Sequence, residues 1–558
     1  MFCSLTTPFE KNTGDVPFGV YPRPQLKRDS FFCLNGKWTL DGEEITVPYP
    51  PNSRLSGIKG YETFDKDNFK YEKRFTLPES FNKGRLILHF GACDQICRVF
   101  VNGKCAGEHT GGYLPFSFDI TEYASDGENV LNVEVTDTLD KTLPYGKQKK
   151  KRGGMWYTPV SGIWQSVWIE SVPDSYIKSI KITPDLKGAT VEIFGCENEE
   201  KTLVCGDIVC KTKENTVRIE PETPHLWTCD DPFLYDFTLT TENDGISSYF
   251  ALRSVGVDNS KNYPILTLNG KPFFANALLD QGYFSDGIYL PASPEGFEND
   301  ILTAKRLGFN TLRKHIKVEP DIFYYYCDKY GMVVFQDMVN NGVYNFIYDT
   351  ALPTVFMKRA LKFANKKTKE NFKKHTVETV NTLYNHPCIV LYTVFNEGWG
   401  QHSSREMYEI MKKLDKTRLC DTASGWFKTK YTDIESPHIY FKPVKLPKRS
   451  SGKVRIISEF GGYSYPVKDH VYNPEHSFGY KSYKNEDELT KALVSLYEDQ
   501  IIPHLEKGLC GTVLTQLSDV EDETNGIMTY DRRIVKPDEK AISECFEKLF
   551  KRFEEING

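Results

Sequence analysis

The sequence predicts a multidomain protein in which an N-terminal jelly-roll β-sandwich and an immunoglobulin-like β-sandwich precede a C-terminal (β/α)₈ TIM barrel. Three observations support this fold class. Short alternating strand patterns separated by turn residues fill residues 1–172, and a smaller set of the same kind fills residues 173–256. From residue 257 to residue 558, apolar strand-like runs alternate with amphipathic helical segments. The length of 558 residues is sufficient for three or four domains.

The first region closes on a tryptophan-rich segment. Before it, runs such as YEKRFTL, GRLILHFGA and NVLNVEVTD are separated by glycine-containing pairs typical of tight turns between strands. Trp156, Trp164 and Trp168 could anchor a core or line a ligand site. Trp164 and Trp168 lie in the strand-like run IWQSVWIE, which favours core positions for both.

The third region contains eight apolar runs that predict the parallel strands of the barrel, and about 300 residues is an ordinary size for such a domain. Predicted helices lie between them, the longest over about residues 357–386. The predicted strands are PFFANALL, FNTLRKH, MVVFQD, CIVLYTVFNE, RLCDTASG, SPHIYF, VRIISEFGG and CGTVLTQLSD. RLCDTASG and SPHIYF have the weakest patterns.

Composition and charge narrow the class of protein. The net charge of −6 is spread without long blocks, which argues against a nucleic-acid partner. No apolar run approaches the roughly 18 residues that a membrane span needs, and the N-terminus lacks the pattern of a secretory leader. The 14 cysteines are scattered through apolar runs, which favours free thiols in a cytoplasmic protein. Cys93 and Cys97 have no second pair at zinc-ligand spacing, so we expect no metal and no cofactor.

One basic cluster, KQKKKR at residues 147–152, departs from this even charge. The simplest interpretation is a solvated loop, because charged runs of this length usually face water. The alternative is recognition of an anionic substrate, since the surrounding sequence is rich in Gly, Trp and Tyr. The sequence leaves both interpretations open.

Polar groups just past the C-terminal ends of barrel strands lie on the catalytic face. Glu397 ends the fourth predicted strand and Glu459 ends the seventh. These strands lie nearly opposite each other in a ring of eight, so the two carboxylates can face each other across one bound molecule. The other polar residues at predicted strand ends are Asp280, Arg313, His315, Asp337, Asn396, His438, Tyr440, Gln516 and Asp519.

Paired carboxylates suit the hydrolysis of a glycosidic bond. The oxocarbenium-like transition state needs a carboxylate below the anomeric carbon and a proton donor beside the leaving oxygen. At a separation of about 5–5.5 Å the carboxylate attacks directly and configuration is retained, whereas a wider gap admits a water and inverts it. A single glutamate at a strand end could equally be solvated or part of a structural ion pair. The presence of a glutamate at the end of both the fourth and the seventh strand favours a catalytic role for the two residues.

Segments spread over nearly the whole chain resemble glycoside hydrolase family 2, which contains β-galactosidases, β-glucuronidases and β-mannosidases. LNGKWTL, VFVNGKCAGEHTGGYLPFSFDIT and SGIWQSVWIE look like its N-terminal sugar-binding domain, and LTLNGKPFFANALLDQGY looks like its entry to the barrel. NHPCIVLYTVFNEGWG and IISEFGG look like its catalytic core. The resemblance implies a retaining exo-β-glycosidase that acts on a carbohydrate or glycoside by double displacement. Homo-oligomers are common in the family, which leaves a homo-oligomer open here.

The resemblance also implies roles for individual residues. Glu397 would be the acid/base, and Glu459 would be the nucleophile that forms the glycosyl-enzyme. Asn396 would hydrogen-bond the 2-hydroxyl of the sugar, an interaction that strengthens in the transition state. Tyr440 would donate a hydrogen bond to the nucleophile, and Arg313 would keep the pKa of that carboxyl low.

The resemblance leaves the roles of several further residues open. Glu397 as an acid calls for a raised pKa, and Trp399 or Trp426 would supply the apolar wall that raises it. Trp426 could also be a stacking platform for a sugar. Asp280 aligns approximately with a family residue that binds sugar hydroxyls, although ALLDQGY departs from the usual His-rich pattern. For His315 two roles are open, a contact with the sugar and a structural hydrogen bond.

The eighth strand bears on the choice of sugar. β-Glucuronidases of the family place an Asn-x-Lys pair before a Gly-Ile-Phe-Thr-like segment, whereas this chain has Glu523, Thr524 and Asn525 before GIMT. An acidic side chain would repel a uronate, so we expect a neutral sugar, with galactose first. A β-hexuronide (galacturonide or glucuronide) or a β-mannoside is the alternative, and a hexuronide needs a cation from elsewhere. The candidate cations are Lys149, Lys150, Lys151, Arg152, Lys314 and Lys317.

Proteins of other classes fit the sequence less well. A non-catalytic carbohydrate-binding protein with a degenerate barrel would have lost one of the two glutamates, and both are present. A barrel aldolase or metal-dependent hydrolase needs a Schiff-base lysine or a His/Asp cluster at strand ends, and neither pattern is recognisable. A transglycosylase would share the covalent intermediate and stays open.

Overall fold

The computed structural model describes residues 3–352 and 364–558, which form two β-sandwiches and a barrel. The first sandwich has a four-stranded and a six-stranded antiparallel sheet, whose inward residues share one apolar core. Alternation explains this, since every second residue of the strand Glu128–Thr136 is buried. In spatial order, the strands of the four-stranded sheet are Phe31–Cys33, Val167–Val172, Arg85–Phe90 and Phe116–Asp119. Those of the six-stranded sheet are Glu43–Val47, Gly36–Leu40, Asn68–Thr76, Glu128–Thr136, Ile96–Val101 and Lys104–Thr110.

The second sandwich is smaller and has seven strands in two antiparallel sheets. One sheet consists of Ser179–Pro184, Ala189–Phe194 and Thr216–Ile219. The other consists of Ile208–Thr212, Lys201–Cys205, Tyr235–Thr240 and Gly245–Phe250. A short antiparallel sheet of Val255–Asp258, Ile265–Leu268 and Lys271–Pro272 then leads into the barrel. The predicted division after residue 256 passes through the first of these strands, and the limits of the domains stay predictions.

Eight parallel strand positions form the barrel, as predicted. In chain order the strands are Ala275–Asp280, Thr311–Lys314, Val333–Asp337, Ile389–Thr393, Leu419–Asp421, the pair Ile434–Glu435 and His438–Ile439, Val454–Gly461 and Leu509–Thr515. The first strand pairs with the eighth, which closes that side of the barrel. Two backbone hydrogen bonds join the segments of the fifth and sixth strands: Asp433 N–H donates to the carbonyl of Cys420 at 2.9 Å, and Gly425 N–H donates to the carbonyl of Ser436 at 2.9 Å. The two weakest sequence patterns form the shortest strands.

Helices cover the outside of the barrel. They are Glu295–Arg306, Asp321–Tyr330, Lys366–Leu383, Ser404–Leu414, Glu486–Gln500 and Glu539–Asn557. Asn365, Asn485 and Asp538 cap three of them by accepting a hydrogen bond from a backbone N–H of the first turn. Of the long helix predicted over residues 357–386, residues 357–363 lie outside the described residues.

The first sandwich and the barrel share a continuous apolar core. Trp164 is fully buried, and its ring packs against that of Tyr289 at 5.0 Å, while Tyr113 and Tyr289 share a hydrogen bond of 2.8 Å. These contacts confirm the core position predicted for Trp164, and Trp168 is also buried. The loop over residues 139–160 then reaches the rim of the barrel, where the N–H groups of Tyr145 and Gly146 donate to the carbonyl of Asn340.

All 14 cysteines have free thiols, and most of them are buried inside the domains. Within residues 3–352 and 364–558, no helix is long and apolar enough to cross a lipid bilayer.

Candidate active site

The turn after the fourth strand has an unusual backbone. Glu397 has a φ of 53° and Gly398 a φ of 76°, in the left-handed region that side chains with a Cβ rarely adopt. The N–H of Glu397 donates to the carbonyl of Ser424 at 2.8 Å, which ties this turn to the end of the fifth strand. A Cβ on Gly398 would lie 1.9 Å from the ring of Phe427, so glycine is required there.

Glu397 and Glu459 face each other across the mouth of the barrel. One carboxylate oxygen of each glutamate and a ring nitrogen of His438 lie within 4.8 Å of one another, and Nδ1 is the ring nitrogen that faces both carboxylates. Both glutamates are almost inaccessible, with exposed fractions of 9% and 4%. The separation is near the 5–5.5 Å at which direct attack occurs, and well below the roughly 6.5 Å or more that admits a water.

Arg313, on the second strand, organises the side of the site that holds Glu459. Its guanidinium donates to Oε1 of Glu459 at 3.0 Å and to the carbonyl of Ser458 at 2.9 Å. It also donates to Oδ1 of Asp337 at 3.0 Å and to Oδ1 of Asn396 at 2.9 Å. Because Arg313 is 1% exposed, these charge-assisted contacts form in a largely water-free environment.

The environment of Glu459 favours its ionised form. Burial raises the pKa of this carboxyl and Glu397 also raises it, whereas His438 and Arg313 lower it, and the net effect is a pKa below the usual value. The hydroxyl of Tyr440 donates to Oε2 of Glu459 at 2.6 Å, and Thr515 lies 2.7 Å from the same hydroxyl. The pKa direction expected for this residue from the sequence therefore matches the structure.

The environment of Glu397 differs from the one expected. Burial raises the pKa of Glu397, but the hydrogen bond and charge of His438 outweigh burial and lower the pKa to about 2. Nδ1 of His438 lies 3.0 Å from Oε1 of Glu397. The expectation of a raised pKa from an apolar wall was wrong, because His438 lies beside the carboxyl. Trp426 packs against His438 at 5.6 Å and Trp399 against Trp156 at 5.2 Å.

His315 and Trp426 also lie at the site. Nδ1 of His315 contacts Oδ2 of Asp337 at 2.8 Å, and burial lowers the pKa of the imidazole, so a neutral ring with its proton on Nδ1 fits this contact. Nε1 of Trp426 is buried without a hydrogen-bond partner among the described residues. Asn396 accepts from Arg313 through Oδ1, which leaves its Nδ2 donor for another group.

Asp280 lies on the other face of the barrel wall. In the ladder between the first two strands, Leu279 is opposite Arg313 and Asp280 is opposite Lys314, so Asp280 and Lys314 point away from the face that carries Arg313. Nζ of Lys314 donates to Asp280 at 2.5 Å and to Glu319 at 2.8 Å. These contacts give no support to the prediction that Asp280 binds substrate.

The same contacts argue against two of the lysines that were considered as partners for the carboxylate of a uronate. Lys314 and Lys317 both donate to Glu319 and are buried. In the basic loop, Lys150 pairs with Asp65 at 2.7 Å on the surface, and Arg152 lies 4.0 Å from Glu521.

Lys147 is a buried residue of the basic loop and lies near the site. It is 8% exposed, and its Nζ lies 5.6 Å from the ring centroid of Trp156. Burial raises the pKa of Glu523 and the charge of Lys147 opposes that rise, and the same charge contributes to the lowered pKa of Glu397, so the ammonium lies near both carboxyls. No carboxylate of the described residues lies within ion-pair distance of it. The sequence interpretation of this cluster as a solvated loop was wrong for Lys147, and its neighbour Trp156 was the available signal.

Within the described part of the chain, Glu397, His438 and Glu459 form the one group of His, Cys, Asp and Glu side chains whose donor atoms converge. Their oxygens already accept hydrogen bonds from His438, Arg313 and Tyr440. We therefore interpret the group as a hydrogen-bonded carboxylate pair.

The fold and the opposed carboxylates define a barrel of the glycoside-hydrolase type. Residues 46–173 match the model of the glycosyl hydrolases family 2 sugar-binding domain, and residues 291–547 match that of the family 2 TIM barrel domain. The chain belongs to glycoside hydrolase family 2.

Two groups of relatives are similar to the chain. A β-galactosidase of Thermoanaerobacter pseudethanolicus is 28% identical over 78% of this chain and 60% of its own length. A β-glucuronidase of Bacteroides fragilis is 23% identical over 70% of this chain and 60% of its own length. The chain thus spans about 60% of the length of these curated relatives. Two solved structures share the fold. A β-D-glucuronidase of Dictyoglomus thermophilum has a TM-score of 0.75 and 20% identity, and the match covers 95% of this chain and 98% of that one. A β-galacturonidase of Eisenbergiella tayi bound to galacturonate has a TM-score of 0.69 and 19% identity, and the match covers 95% of this chain and 99% of that one.

Proposed function

We propose that the chain is a retaining exo-β-glycosidase that removes terminal β-linked sugars by double displacement. The observation that carries this proposal is the separation of at most 4.8 Å between oxygens of Glu397 and Glu459. At this separation one carboxylate can bond to the anomeric carbon while the other protonates the leaving oxygen. Membership of glycoside hydrolase family 2 supports the same reaction.

The contacts of the two glutamates support their assignment to different roles. Glu459 accepts from Arg313 and Tyr440, so it is held as an anion and suits the nucleophile. It attacks the anomeric carbon, and the carbon–oxygen bond to the leaving group breaks. Glu397 protonates the leaving oxygen and then removes a proton from the water that hydrolyses the glycosyl-enzyme. Asn396, fixed by Arg313 through Oδ1, offers Nδ2 to the 2-hydroxyl of the sugar.

A neutral β-galactoside is the leading substrate. Lys147 adds a positive charge near the site, and the carboxyl of Glu523 lies close to both Lys147 and Glu459. Burial raises the pKa of Glu523, but both of its oxygens accept hydrogen bonds, from Tyr157 and Asn525, which suits the ionised form. A β-galactosidase is also among the curated relatives, at 28% identity. An ionised Glu523 offsets the charge of Lys147, and a site without net positive charge suits an uncharged sugar ring.

A β-hexuronide is the second candidate, because Lys147 has no carboxylate partner within the described residues. Its ammonium could pair with the carboxylate of a galacturonide or glucuronide, and a charge-assisted contact of this kind contributes about 1.5–3 kcal/mol. Relatives named β-glucuronidase and β-galacturonidase fit this alternative. A β-mannoside has no specific contact in its favour.

A covalent-trapping experiment tests the reaction, and a panel of aryl glycosides tests the sugar. A 2-deoxy-2-fluoro glycoside should add one glycosyl group to Glu459, which mass spectrometry of a proteolytic digest locates, and Glu459→Gln should remain unlabelled. NMR of the first product should show the β-anomer. Initial formation of the α-anomer would refute retention, and unchanged labelling of Glu459→Gln would refute the nucleophile.

Three further properties belong to this proposal. The free thiols fit a cytoplasmic location. Transfer to a sugar acceptor instead of water shares the covalent intermediate, and adding acceptors during product analysis measures its extent. A homo-oligomer is an expectation from the family that sedimentation of the purified chain would test.

A further inference from the structure

A surface cavity lies beside the active site, between the loops that follow the sixth and seventh strands. It has a volume of about 260 Å³ and reaches Tyr440, whose hydroxyl donates to the proposed nucleophile Glu459 at 2.6 Å. Its polar and aromatic side chains are those of Phe441, Lys442, Tyr463, Tyr480, Lys481 and Gln500. No carboxylate of the described residues lines it. The cavity therefore shares a wall residue with the catalytic site and has a different charge.

The aromatic part of the cavity is built on a pair of stacked tyrosines. The ring centroids of Tyr440 and Tyr480 are 3.8 Å apart, and the rings are 6° from parallel. A Cβ on Gly462 would lie 2.3 Å from the ring of Tyr480, so the backbone closes on this pair. Phe441 packs its ring against Tyr480 at 5.3 Å and is still 76% exposed. An exposed aromatic ring on a fixed support is typical of a binding surface, and one face of a sugar could pack on it.

Both cations of the cavity lack a carboxylate partner. Within the part of the chain that the structure describes, no carboxylate lies at ion-pair distance from Lys442 or Lys481. Lys481 is opposite Tyr463 in a short parallel ladder, and its Nζ lies 5.6 Å from the centroid of the Tyr463 ring. Two ammonium groups in a cavity without acidic side chains suit an anionic ligand.

The loop over residues 441–453 continues this positive charge along the rim of the barrel. Buried Val444 and Leu446 anchor the loop, and the N–H of Val444 donates to Oε1 of Gln500 at 3.0 Å. The chain as a whole has a net charge of −6, yet this loop contains no Asp or Glu. Its cations, which are separated by apolar residues and prolines in its first half, are Lys442, Lys445, Lys448, Arg449 and Lys453.

We propose that this cavity is a subsite for an acidic sugar unit, so that the natural substrate is the end of an anionic glycan. The inference rests on the proposed glycosidase reaction and adds a substrate class to it. An exo-glycosidase holds the terminal sugar between its carboxylates, so the rest of the glycan must leave through the mouth of the barrel. There a carboxylate or sulfate of a following unit would pair with Lys442 and Lys481, and a sugar face would pack on Phe441.

This subsite is separate from Lys147. Lys147 comes from a loop of the first sandwich and lies near Glu397 and Glu523, where it would act on the terminal sugar. Lys442 and Lys481 follow the sixth and seventh barrel strands, and Lys147 does not line their cavity. A neutral terminal sugar and an acidic remainder of the glycan are therefore compatible.

Three disaccharides test the proposal. Each carries the best terminal sugar from the glycoside panel, β-linked to a hexuronate, to a sulfated hexose or to the corresponding neutral hexose. For the wild-type chain, kcat/KM on at least one acidic disaccharide should exceed that on the neutral one about tenfold, the order expected of two exposed ion pairs. The ratio should fall as salt is added, because exposed charges are screened over about 10 Å at 0.1 M.

The identity of the preferred disaccharide distinguishes the two sources of negative charge. A preference for the hexuronate, for the sulfated hexose or for both would support the proposal and name the acidic group. Equal kcat/KM on all three disaccharides at low salt would overturn it.

The double variant Lys442→Met/Lys481→Met should lose this preference, with an acidic-to-neutral ratio near one. Its rate on an aryl glycoside of the same sugar reports whether the catalytic site has folded. Lys540→Met/Lys548→Met is the matched control, because it removes the same charge from the last helix, where each lysine pairs with a glutamate. The control should keep the wild-type ratio. A wild-type ratio in Lys442→Met/Lys481→Met, or a ratio that is lost in Lys147→Met instead, would overturn the proposal.

Phe441→Ala tests the aromatic part of the subsite. It should raise KM on all three disaccharides alike, because a ring face carries no net charge, and it should keep the acidic-to-neutral ratio. An unchanged KM on the disaccharides would refute the packing of a sugar on Phe441.

Calorimetric titration of Glu459→Gln with the three disaccharides separates the subsite from the reaction. Without the nucleophile, Kd reports binding alone, and an acidic disaccharide should bind about tenfold more tightly than the neutral one at low salt. If the wild-type chain hydrolysed no glycoside but this difference in Kd were present, the proposed glycosidase function would fail and the subsite would stand. Hydrolysis without a difference in either Kd or kcat/KM would refute the subsite and leave the glycosidase function in place.

Discussion

The guanidinium of Arg313 connects Glu459 to Asn396, with hydrogen bonds of 3.0 Å and 2.9 Å. One side chain therefore fixes both the proposed nucleophile and the amide that would read the 2-hydroxyl of the sugar. Because the guanidinium is planar and carries five N–H donors, it can satisfy these partners and Asp337 at the same time.

Arg313→Lys should impair the reaction while keeping the charge. A single ammonium cannot replace the fork of contacts, so we expect kcat to fall by about 100-fold or more. The pKa of Glu459 is lowered partly by Arg313, and Glu459 attacks only as an anion. Weaker stabilisation of that anion raises its pKa, so the acid limb of kcat/KM should move to higher pH. Arg306→Lys, at an exposed pair with Glu539, is the control and should leave the profile unchanged.

Glu397→Ala should slow hydrolysis in proportion to the need for a proton. Glycosides with poor leaving groups should lose about 10²–10⁴-fold in rate, whereas dinitrophenyl glycosides should accumulate as the glycosyl-enzyme. Azide enters the vacated space and should restore turnover by forming a β-glycosyl azide, detectable by NMR. Glu406→Ala, at an exposed pair with Lys373, should have no such effects. A uniform loss on every leaving group would argue against Glu397 as the acid.

Gly398→Ala should disturb the site through packing. Its Cβ would lie 1.9 Å from Phe427, and overpacking of this kind costs about 1–3 kcal/mol, in addition to the penalty for a Cβ at positive φ. Gly270→Ala is a close control, because Gly270 has a similar φ of 74° and a Cβ added there would meet no heavy atom within 4 Å. Thermal unfolding of both variants separates the two costs. Similar losses would mean that Phe427 moves aside freely.

Lys147→Met should change the ratio of kcat/KM for aryl β-hexuronides to that for aryl β-galactosides. If the ammonium pairs with a uronate, its removal should lower the ratio about tenfold or more, and Glu523→Gln should raise it. Lys150→Met is the control within the same loop, since Lys150 is paired with Asp65 on the surface. A ratio that is insensitive to Lys147 would place the ammonium away from the substituent at C5 of the sugar.

The sequence predicted the three-part architecture and the positions of Glu397 and Glu459 because both depend on local patterns. Apolar runs mark the barrel strands, and the ends of those runs mark the catalytic face. The pKa direction of Glu397 depends on His438, which is 41 residues away on another strand. His438 was visible as a polar residue at a strand end, but its contact required the relative tilt of the strands.

Two other residues show the same limit. Asp280 ends the first strand, and whether its side chain faces the pocket depends on the pairing of Asp280 with Lys314. A shift of one residue in the assumed alternation reverses the answer. Lys147 belongs to a loop of the first sandwich, so its position near Glu397 follows from the docking of one domain on another, which no local pattern records.

The insertion of residues 139–160 into the barrel rim has a consequence for how such a chain can diversify. The catalytic carboxylates lie on barrel strands, whereas Lys147 and Trp156 come from a loop of the first sandwich. If Lys147 contacts the sugar, replacing that loop should alter which sugar is accepted, while the contacts of the two glutamates with Arg313, His438 and Tyr440 stay in place. A library confined to this one segment is therefore a direct route to new substrate preferences on an unchanged catalytic scaffold.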